Sequence, residues 1–487
     1  MTMSLKKKTL HGFGWSFVDN IGNQGVTFLV GVVLARLLTP NDFGLVAMIT
    51  VFTAISNTFI DSGFTTALIR KQDCSQHDYS TVFFFNLGVG SLLFLLLYVT
   101  APLISTFFKQ PGLTSITRVL ALGLIISSIS VIQRTILTKN IDFKLQTKIS
   151  LVSSIGSGVI GIAMAFMGFG VWSLVGQLLS RQLLQSLMLW LGNRWRPSLV
   201  FSKSSFKELF GFGSKILASS LLDTVYKNIN SLVIGRFFSS ATLGHYTNAD
   251  KFQSVFSSNL TQTIQRVSYP VLSAIQDDLV KLKQAYRKLI INTMMATFAL
   301  MLGLAAAAKP VILLSIGNQW EQVIPYLQLL CLSGMLYPLH AINLNVINVK
   351  GRSDLYLKLE IIKKVIAVPV IVVAIFWGVY ALLIGMVVTS VISFFLNSYY
   401  SADMIGYSTR EQLADILPLL GVSIVVAIPM WLVTFLNWNL FATLAVQIVV
   451  GLALSYVIYD RIKLTEFVEL KAMFVGFIKK MRNGRKQ

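Results

Sequence analysis

The chain has 487 residues, 54% of them apolar and only 13% charged, with a mean hydropathy of +0.70. A typical soluble domain carries about 25% charged residues, so an array of soluble domains is excluded, and so is a disordered chain; the composition is that of an all-α polytopic membrane protein. The net charge of +21 comes from 41 Lys and Arg against 20 Asp and Glu. A nucleic-acid partner would call for a basic patch on a soluble domain. Here the basic residues sit in short segments between apolar runs, the positive-inside pattern, and nucleic acid is set aside.

The N-terminus opens on Lys6-Lys7-Lys8. The apolar run that follows is interrupted by Asp19, Asn20, Asn23 and Gln24 and continues to Leu38 without a small-residue cleavage site. It reads as a retained first helix rather than a signal peptide. At about 20 helical residues per crossing, fourteen candidate spans follow: 10–37, 43–68, 80–104, 114–137, 148–167, 170–192, 207–237, 241–271, 289–308, 321–348, 357–376, 379–401, 414–435 and 440–459. Thr39-Pro40 supplies an N-cap and first helical residue for the second span. Pro111-Gly112 precedes the fourth, and Gly168 to Gly170 separates the fifth from the sixth. The segments read as cytoplasmic hold thirty of the Lys and Arg, against two (Lys109 and Lys309) in the outer loops. That asymmetry puts both termini inside. The outer loops are short, with no room for an extracellular domain.

Cys74 falls in a cytoplasmic loop and Cys331 in a helix, which argues against a disulfide framework. The four histidines lack zinc-ligand spacing. No Walker loop, Gly-x-Ser-x-Gly elbow or Asp-x-Asp motif occurs. No cofactor is expected, and transport would draw on an ion gradient, a separate protein or the substrate's own gradient.

An internal repeat is visible. Leu10-His11-Gly12-Phe13-Gly14 opens the first span and Leu209-Phe210-Gly211-Phe212-Gly213 the seventh. Ala35-Arg36 with Gly44 matches Gly235-Arg236 with Gly244. Both copies start inside, so the repeat is parallel. The expected organisation is an N-lobe over 1–200 (spans one to six), a C-lobe over 201–402 (seven to twelve), two extra helices over 403–460 and a basic cytoplasmic tail over 461–487. Two pseudo-symmetric six-helix lobes around a central cavity are the architecture of an alternating-access transporter.

Seven cations fall within spans: Arg118, Arg134, Arg181, Lys215, Lys227, Lys251 and Arg266. Four acids join them: Asp19, Asp61, Asp223 and Asp250. A charge facing lipid near the midplane costs about 2.5–3.5 kcal/mol even on the lenient scale, so these charges face water or each other. Arg118 and Arg134 lie near the ends of the fourth span, where a snorkelling or structural role competes with a functional one. Helical periodicity puts Asn248, Lys251, Ser254, Ser258, Asn259, Gln262, Gln265 and Arg266 on one side of the eighth span. The seventh groups Asp223, Lys227 and Asn230, with Lys215 a quarter turn away; Asp223 and Lys227 also suit a simple i,i+4 pair. The sixth groups Gln177, Arg181 and Gln185, with Arg181 near mid-depth and no evident local acid. The expected cationic substrate set is Arg181, Lys215, Lys227, Lys251 and Arg266. The polar lining is Asn23, Gln24, Gln177, Asn230, Asn248, Asn259 and Gln262. Asp19, Asp61 and Asp223 are candidates for Na+ or H+ coupling, with a salt bridge to a neighbouring helix as the competing role. No metal site is expected. A net-basic cavity suits an anion, and the arginine fork suits phosphate.

With these residues in view, the chain resembles the Wzx-type polysaccharide flippases of the multidrug/oligosaccharidyl-lipid/polysaccharide exporter superfamily, in the branch of the colanic acid and teichuronic acid exporters. The stretches that carry the resemblance are Ala35-Arg36-Leu37-Leu38-Thr39-Pro40-Asn41-Asp42-Phe43-Gly44, Ala67-Leu68-Ile69-Arg70-Lys71, Arg134 through Phe143-Lys144, Gly168 through Val175, and Tyr269-Pro270-Val271-Leu272-Ser273. The resemblance implies a flippase that moves undecaprenyl-pyrophosphate-linked oligosaccharide across the bacterial inner membrane for capsule, exopolysaccharide or O-antigen assembly. It also implies membrane lipid and polysaccharide polymerase machinery as partners. Cations would meet the pyrophosphate, a polar cavity the sugars, and the polyprenyl tail would stay in lipid. The competing readings are a multidrug/cation antiporter, which should have an acidic cavity, a peptidoglycan-precursor flippase, and a membrane polymerase or ligase, against which the short outer loops argue.

Overall fold

The computed structural model describes residues 5–436, 438–463, 467–469 and 471; at residues 5–13, 16, 17, 258, 259, 262, 263, 266, 267 and 269 it describes the backbone alone. The regular elements are α1 (Leu5–Leu37), α2 (Pro40–Asp61), α3 (Phe64–Arg70), α4 (Gln76–Phe108), α5 (Leu113–Lys139), α6 (Phe143–Phe166), α7 (Val171–Gly192), α8 (Lys203–Phe237) and α9 (Ser240–Ala274). They continue with α10 (Leu279–Ala306), α11 (Ala308–Ser315), α12 (Val323–Gly334), α13 (Tyr337–Val349), α14 (Ser353–Trp377), α15 (Val379–Tyr399), α16 (Ser401–Ile405), α17 (Thr409–Val433) and α18 (Leu440–Ile462). Two 3₁₀ turns complete the set, and no strand occurs among the described residues. Among the described residues, ten helical segments are long and apolar enough to cross a membrane, so the chain is a multi-pass membrane protein. Four further long helices, α7, α8, α9 and α14, fall outside those ten. They carry, among other charges, Arg181, Lys215 with Asp223 and Lys227, Asp250 with Lys251, and Glu360 with Lys363.

Local chemistry sets the helix ends. Thr39 caps α2 with Pro40 in its first turn, and the Asp42 carboxylate reaches back to the Thr39 amide at 3.0 Å, closing a capping box. Ser75 with Asp78 and Ser408 with Glu411 do the same for α4 and α17. The second expected span, 43–68, is not one helix. Ser62 and Gly63 both take left-handed backbone angles (φ 47° and 68°), which ends α2 and redirects the chain into α3. At Gly63 a side chain would also overlap the Gly213 carbonyl. The tenth, 321–348, breaks between α12 and α13. Pro338 sits in the first turn of α13 and has no N–H to give the preceding turn.

By packing, the chain forms two compact units, residues 1–247 and 248–487. In the first, α1 and α6 run parallel with their polar residues in register. The Thr147 hydroxyl donates to the Trp15 carbonyl at 3.1 Å, Ser150 donates to Asp19 at 2.8 Å, and Ser154 donates to Asn23 at 2.6 Å. α8 lies antiparallel along α2, with Gly235 against Met48, Thr224 3.0 Å from Thr58 and Gly213 against Gly63. Phe64, Phe83, Phe85, Phe206, Trp190 and Trp195 fill the end where α3, α4 and α8 meet.

The two copies of the Arg-to-Gly repeat meet within this unit. A methyl group on Gly44 would collide with the Ser240 carbonyl, and one on Gly244 with the Pro40 carbonyl. The contact is reciprocal: each glycine packs on the first turn of the other copy's helix. The motif is therefore a contact between helix starts and needs backbone-to-backbone approach, which only glycine permits.

The second unit packs around Tyr286, Met294, Phe298, Leu339, Ile342, Phe394 and Tyr407. Three cations of α10 are paired with acids there. Arg287 grips Asp415 at 2.6 and 2.7 Å, Lys283 meets Glu411 at 2.8 Å, and Lys288 meets Glu469 at 2.5 Å.

Candidate functional site

A cavity of about 470 Å³ opens inside the first unit, among α1, α5, α6 and α7. That volume is in the range of small-molecule pockets, roughly 300–1,000 Å³. Its polar lining is Asp19 and Asn23 of α1, Arg134 of α5, Gln146 and Ser150 of α6, and Arg181, Gln182 and Gln185 of α7. On α7 the lining runs from Leu178 to Leu189, a span of about 16 Å at 1.5 Å per residue.

The helices place these groups by simple spacing. Asp19, Asn23 and Thr27 recur every four residues and form one stripe of α1. Ser150 and Ser154 of α6 face that stripe. Small residues there let the two backbones approach and give hydroxyls to the seam. The Asp19 carboxylate accepts from the Asn23 amide at 2.9 Å and from the Ser150 hydroxyl at 2.8 Å. A side-chain nitrogen of Arg181 donates to the Thr27 hydroxyl at 3.3 Å. Gln146 donates to the Thr138 hydroxyl at 2.8 Å and to the Arg134 carbonyl at 3.3 Å, tying the start of α6 to α5.

The charges in the cavity do not cancel. Two guanidiniums, Arg134 and Arg181, face it with one carboxylate, Asp19. Among the described residues no carboxylate comes within 4 Å of either guanidinium, and no cation comes within 4 Å of Asp19. Asp19 is satisfied by neutral donors instead of by the salt bridge that competed with a functional role. The arrangement offers an anion two planar donor forks beside neutral hydrogen-bonding groups.

Of the residues singled out from sequence, the cavity brings together Arg181, Asp19, Asn23 and Gln185. Gln177 packs its side-chain carbons on Gly161, at the α6–α7 crossing, and Gln24 is partly buried on α1 outside the lining. Asp61 accepts a hydrogen bond from Thr65 at the end of α2. Lys215, Asp223 and Lys227 are exposed along α8, and Asn230 is partly buried there. On α9, Asn248 is buried and Lys251 is exposed. Asn259, Gln262 and Arg266 lie outside the residues whose side chains are described. Sequence reasoning underrated Arg134 because it sits near a helix end. The usable signal was its partner: Gln146, seven residues after Lys139, returns the chain to the level of Arg134. Arg118, of equal standing in the sequence, has no part in this cavity.

A family model described as polysaccharide biosynthesis protein matches residues 33–325. The chain is 26% identical over 423 residues to the lipopolysaccharide biosynthesis protein WzxC of Escherichia coli (strain K12), covering 85% of each. It is 27% identical over 358 residues to the teichuronic acid biosynthesis protein TuaB of Bacillus subtilis (strain 168), covering 72% of this chain and 73% of that one. Among solved structures it superposes on the lipid II flippase MurJ in an inward closed conformation with a TM-score of 0.75, at 14% identity, covering 93% of this chain and all of that one. That last likeness is one of fold.

Proposed function

The chain belongs to this family of polysaccharide biosynthesis proteins, and from that membership we propose that it is a flippase for a lipid-linked oligosaccharide with a pyrophosphate linkage, and not an enzyme. The observation that carries the reading is the pair of uncompensated arginines, Arg134 and Arg181, in one cavity of a multi-pass membrane protein. A glycan lipid with an undecaprenyl pyrophosphate needs three environments: cations for the phosphates, hydrogen-bonding groups for the sugars, and bilayer for the tail. Asn23, Ser150, Gln182 and Gln185 supply the second beside the arginines that supply the first. A cationic drug finds no favourable field there, which weighs against the multidrug reading.

The chain crosses the bacterial inner membrane fourteen times, with α7, α8, α9 and α14 joining the ten apolar segments and both termini in the cytoplasm. Lys215 and Lys227 of the polar helix α8, and Lys251 of α9, are the further cations proposed to meet the substrate. Asp19, held by neutral donors, is the favoured carboxylate for coupling to Na+ or H+.

The test is a leaflet assay in liposomes carrying a fluorescent polyprenyl-pyrophosphate oligosaccharide, with and without an imposed sodium or proton gradient. Transfer by the wild type and its loss in Arg134→Ala and Arg181→Ala, at unchanged yield and melting temperature, are expected. Asp19→Asn should keep gradient-free exchange and lose the response to the gradient. Efflux of a cationic dye with no transfer of any polyprenyl-linked glycan would overturn the proposal.

A further inference from the structure

Arg118 is engaged in a way that the transport reading does not use. Pro102 interrupts the hydrogen-bond ladder of α4. Having no N–H, it leaves the Tyr98 carbonyl, four residues earlier, without its helical donor. The Arg118 Nε reaches across from α5 and donates to that carbonyl at 3.3 Å. Its guanidinium carbon stands 4.8 Å from the centre of the Tyr98 ring. One N–H and one face of the guanidinium are thereby used, and its orientation is fixed. The two terminal nitrogens have no acceptor among the described residues.

Arg118 lines a crevice of about 460 Å³ together with Tyr98, Thr114, Ser115 and Leu122 among others. The crevice opens on the apolar outside of the bundle, where Leu95, Val99, Leu103 and Leu122 are 56%, 65%, 69% and 44% exposed. Arg118 is five residues into α5, about 7.5 Å below its start at 1.5 Å per residue. That depth suits the boundary between headgroups and hydrocarbon. On the same helix Arg134 lies sixteen residues further, about 24 Å away and rotated by roughly 160°. One arginine thus faces the interior cavity near one end of α5, and the other faces lipid near the opposite end.

We propose that this crevice binds the phosphate of a membrane phospholipid, with Arg118 as the fork, Thr114 as an added hydroxyl and the tails lying along Leu95, Val99 and Leu122. Phosphate is the ligand class because the free donors are two adjacent terminal guanidinium nitrogens. A lipid is its source because the mouth is apolar and opens sideways. The site is independent of the transported substrate.

The test is a native mass-spectrometry titration of the full-length protein with phosphatidylglycerol, reading the affinity of the tightest lipid. Removing Arg118 alone would also strip the Tyr98 carbonyl. The informative variant is therefore the double change Pro102→Ala with Arg118→Gln, in which the helix regains its own donor; Pro102→Ala alone is the control. Thr114→Leu, which fills the crevice and leaves Arg118 in place, is the second arm. The expected result is one tight lipid in wild type and in the control, at least tenfold weaker in both the double variant and Thr114→Leu, and not displaced by excess inorganic phosphate. Equal affinity in all four proteins would overturn the proposal. So would displacement by inorganic phosphate, which would make this a free-anion site.

Discussion

Two charged regions, one in each unit, are built in opposite ways. In the first turns of α10 in the second unit, Lys283, Arg287 and Lys288 each meet an acid from α17 or the segment after α18, at 2.5–2.8 Å. In the first unit, Arg134 and Arg181 share a cavity with one carboxylate, which is itself bound by Asn23 and Ser150. Paired, half-exposed charges of the first kind staple helices together and contribute modestly. Unpaired cations inside a membrane protein cost stability. Their retention points to a ligand that supplies the missing charge.

The largest expected effect comes from removing the unpaired set. A charge-assisted hydrogen bond is worth about 1.5–3 kcal/mol, so Arg181→Ala or Arg134→Ala should cut transport about tenfold to a hundredfold. Neither should lower the melting temperature, since no ion pair is lost. A fall in stability matching the fall in transport would put these arginines with the stapling charges. Next is a purely steric change. Gly44→Ala forces a methyl into the Ser240 carbonyl and should cost about 1–3 kcal/mol, as overpacking does, measured by thermal unfolding in detergent. It separates loss of packing from loss of charge.

Smaller again is Arg287→Ala. Its side chain is 56% exposed and Asp415 keeps the Tyr407 hydroxyl at 2.6 Å, so about 1 kcal/mol of stability should go, with transport retained in the leaflet assay. The smallest concerns Lys71, which bridges Glu208 at 2.9 Å and Asp78 at 3.2 Å. Those partners, Glu208 first, hold its pKa above the ordinary 10.5. Its contribution is therefore complete below pH 10.5 and fades only as the pH climbs through the raised value. Lys71→Gln should cost under about 1 kcal/mol at pH 7, and an alkaline titration of stability should find its difference from wild type shrinking above pH 10.5.

Much of the fold was legible because membrane helices are written in composition. Apolar runs, Thr39-Pro40, Pro111-Gly112 and the glycines near 168–170 marked helix ends that the structure places where expected. The break at Ser62–Gly63 was not legible, since it follows from the approach of Gly213, 150 residues away. The site was legible only in part. Arg181 stood out as a mid-depth cation, but Arg134 looked like an ordinary helix end. Helical periodicity says which residues share a face and leaves open which face meets which neighbour.

By itself, then, the sequence determined the class, the crossings as candidates, the excess of cations over acids within the spans and the Arg-to-Gly repeat. These depend on local composition and on periods of a few residues. Only the tertiary structure decided that the two glycines of the repeat pack on each other's helix starts. It also decided that Arg118 completes a proline-broken ladder while Arg134 joins Arg181 beside Asp19. Each of those is a contact between helices far apart in the chain. Their partners are chosen by how small residues such as Gly44, Ser150 and Ser154 let backbones approach, a property of surfaces in three dimensions that no single helix carries alone.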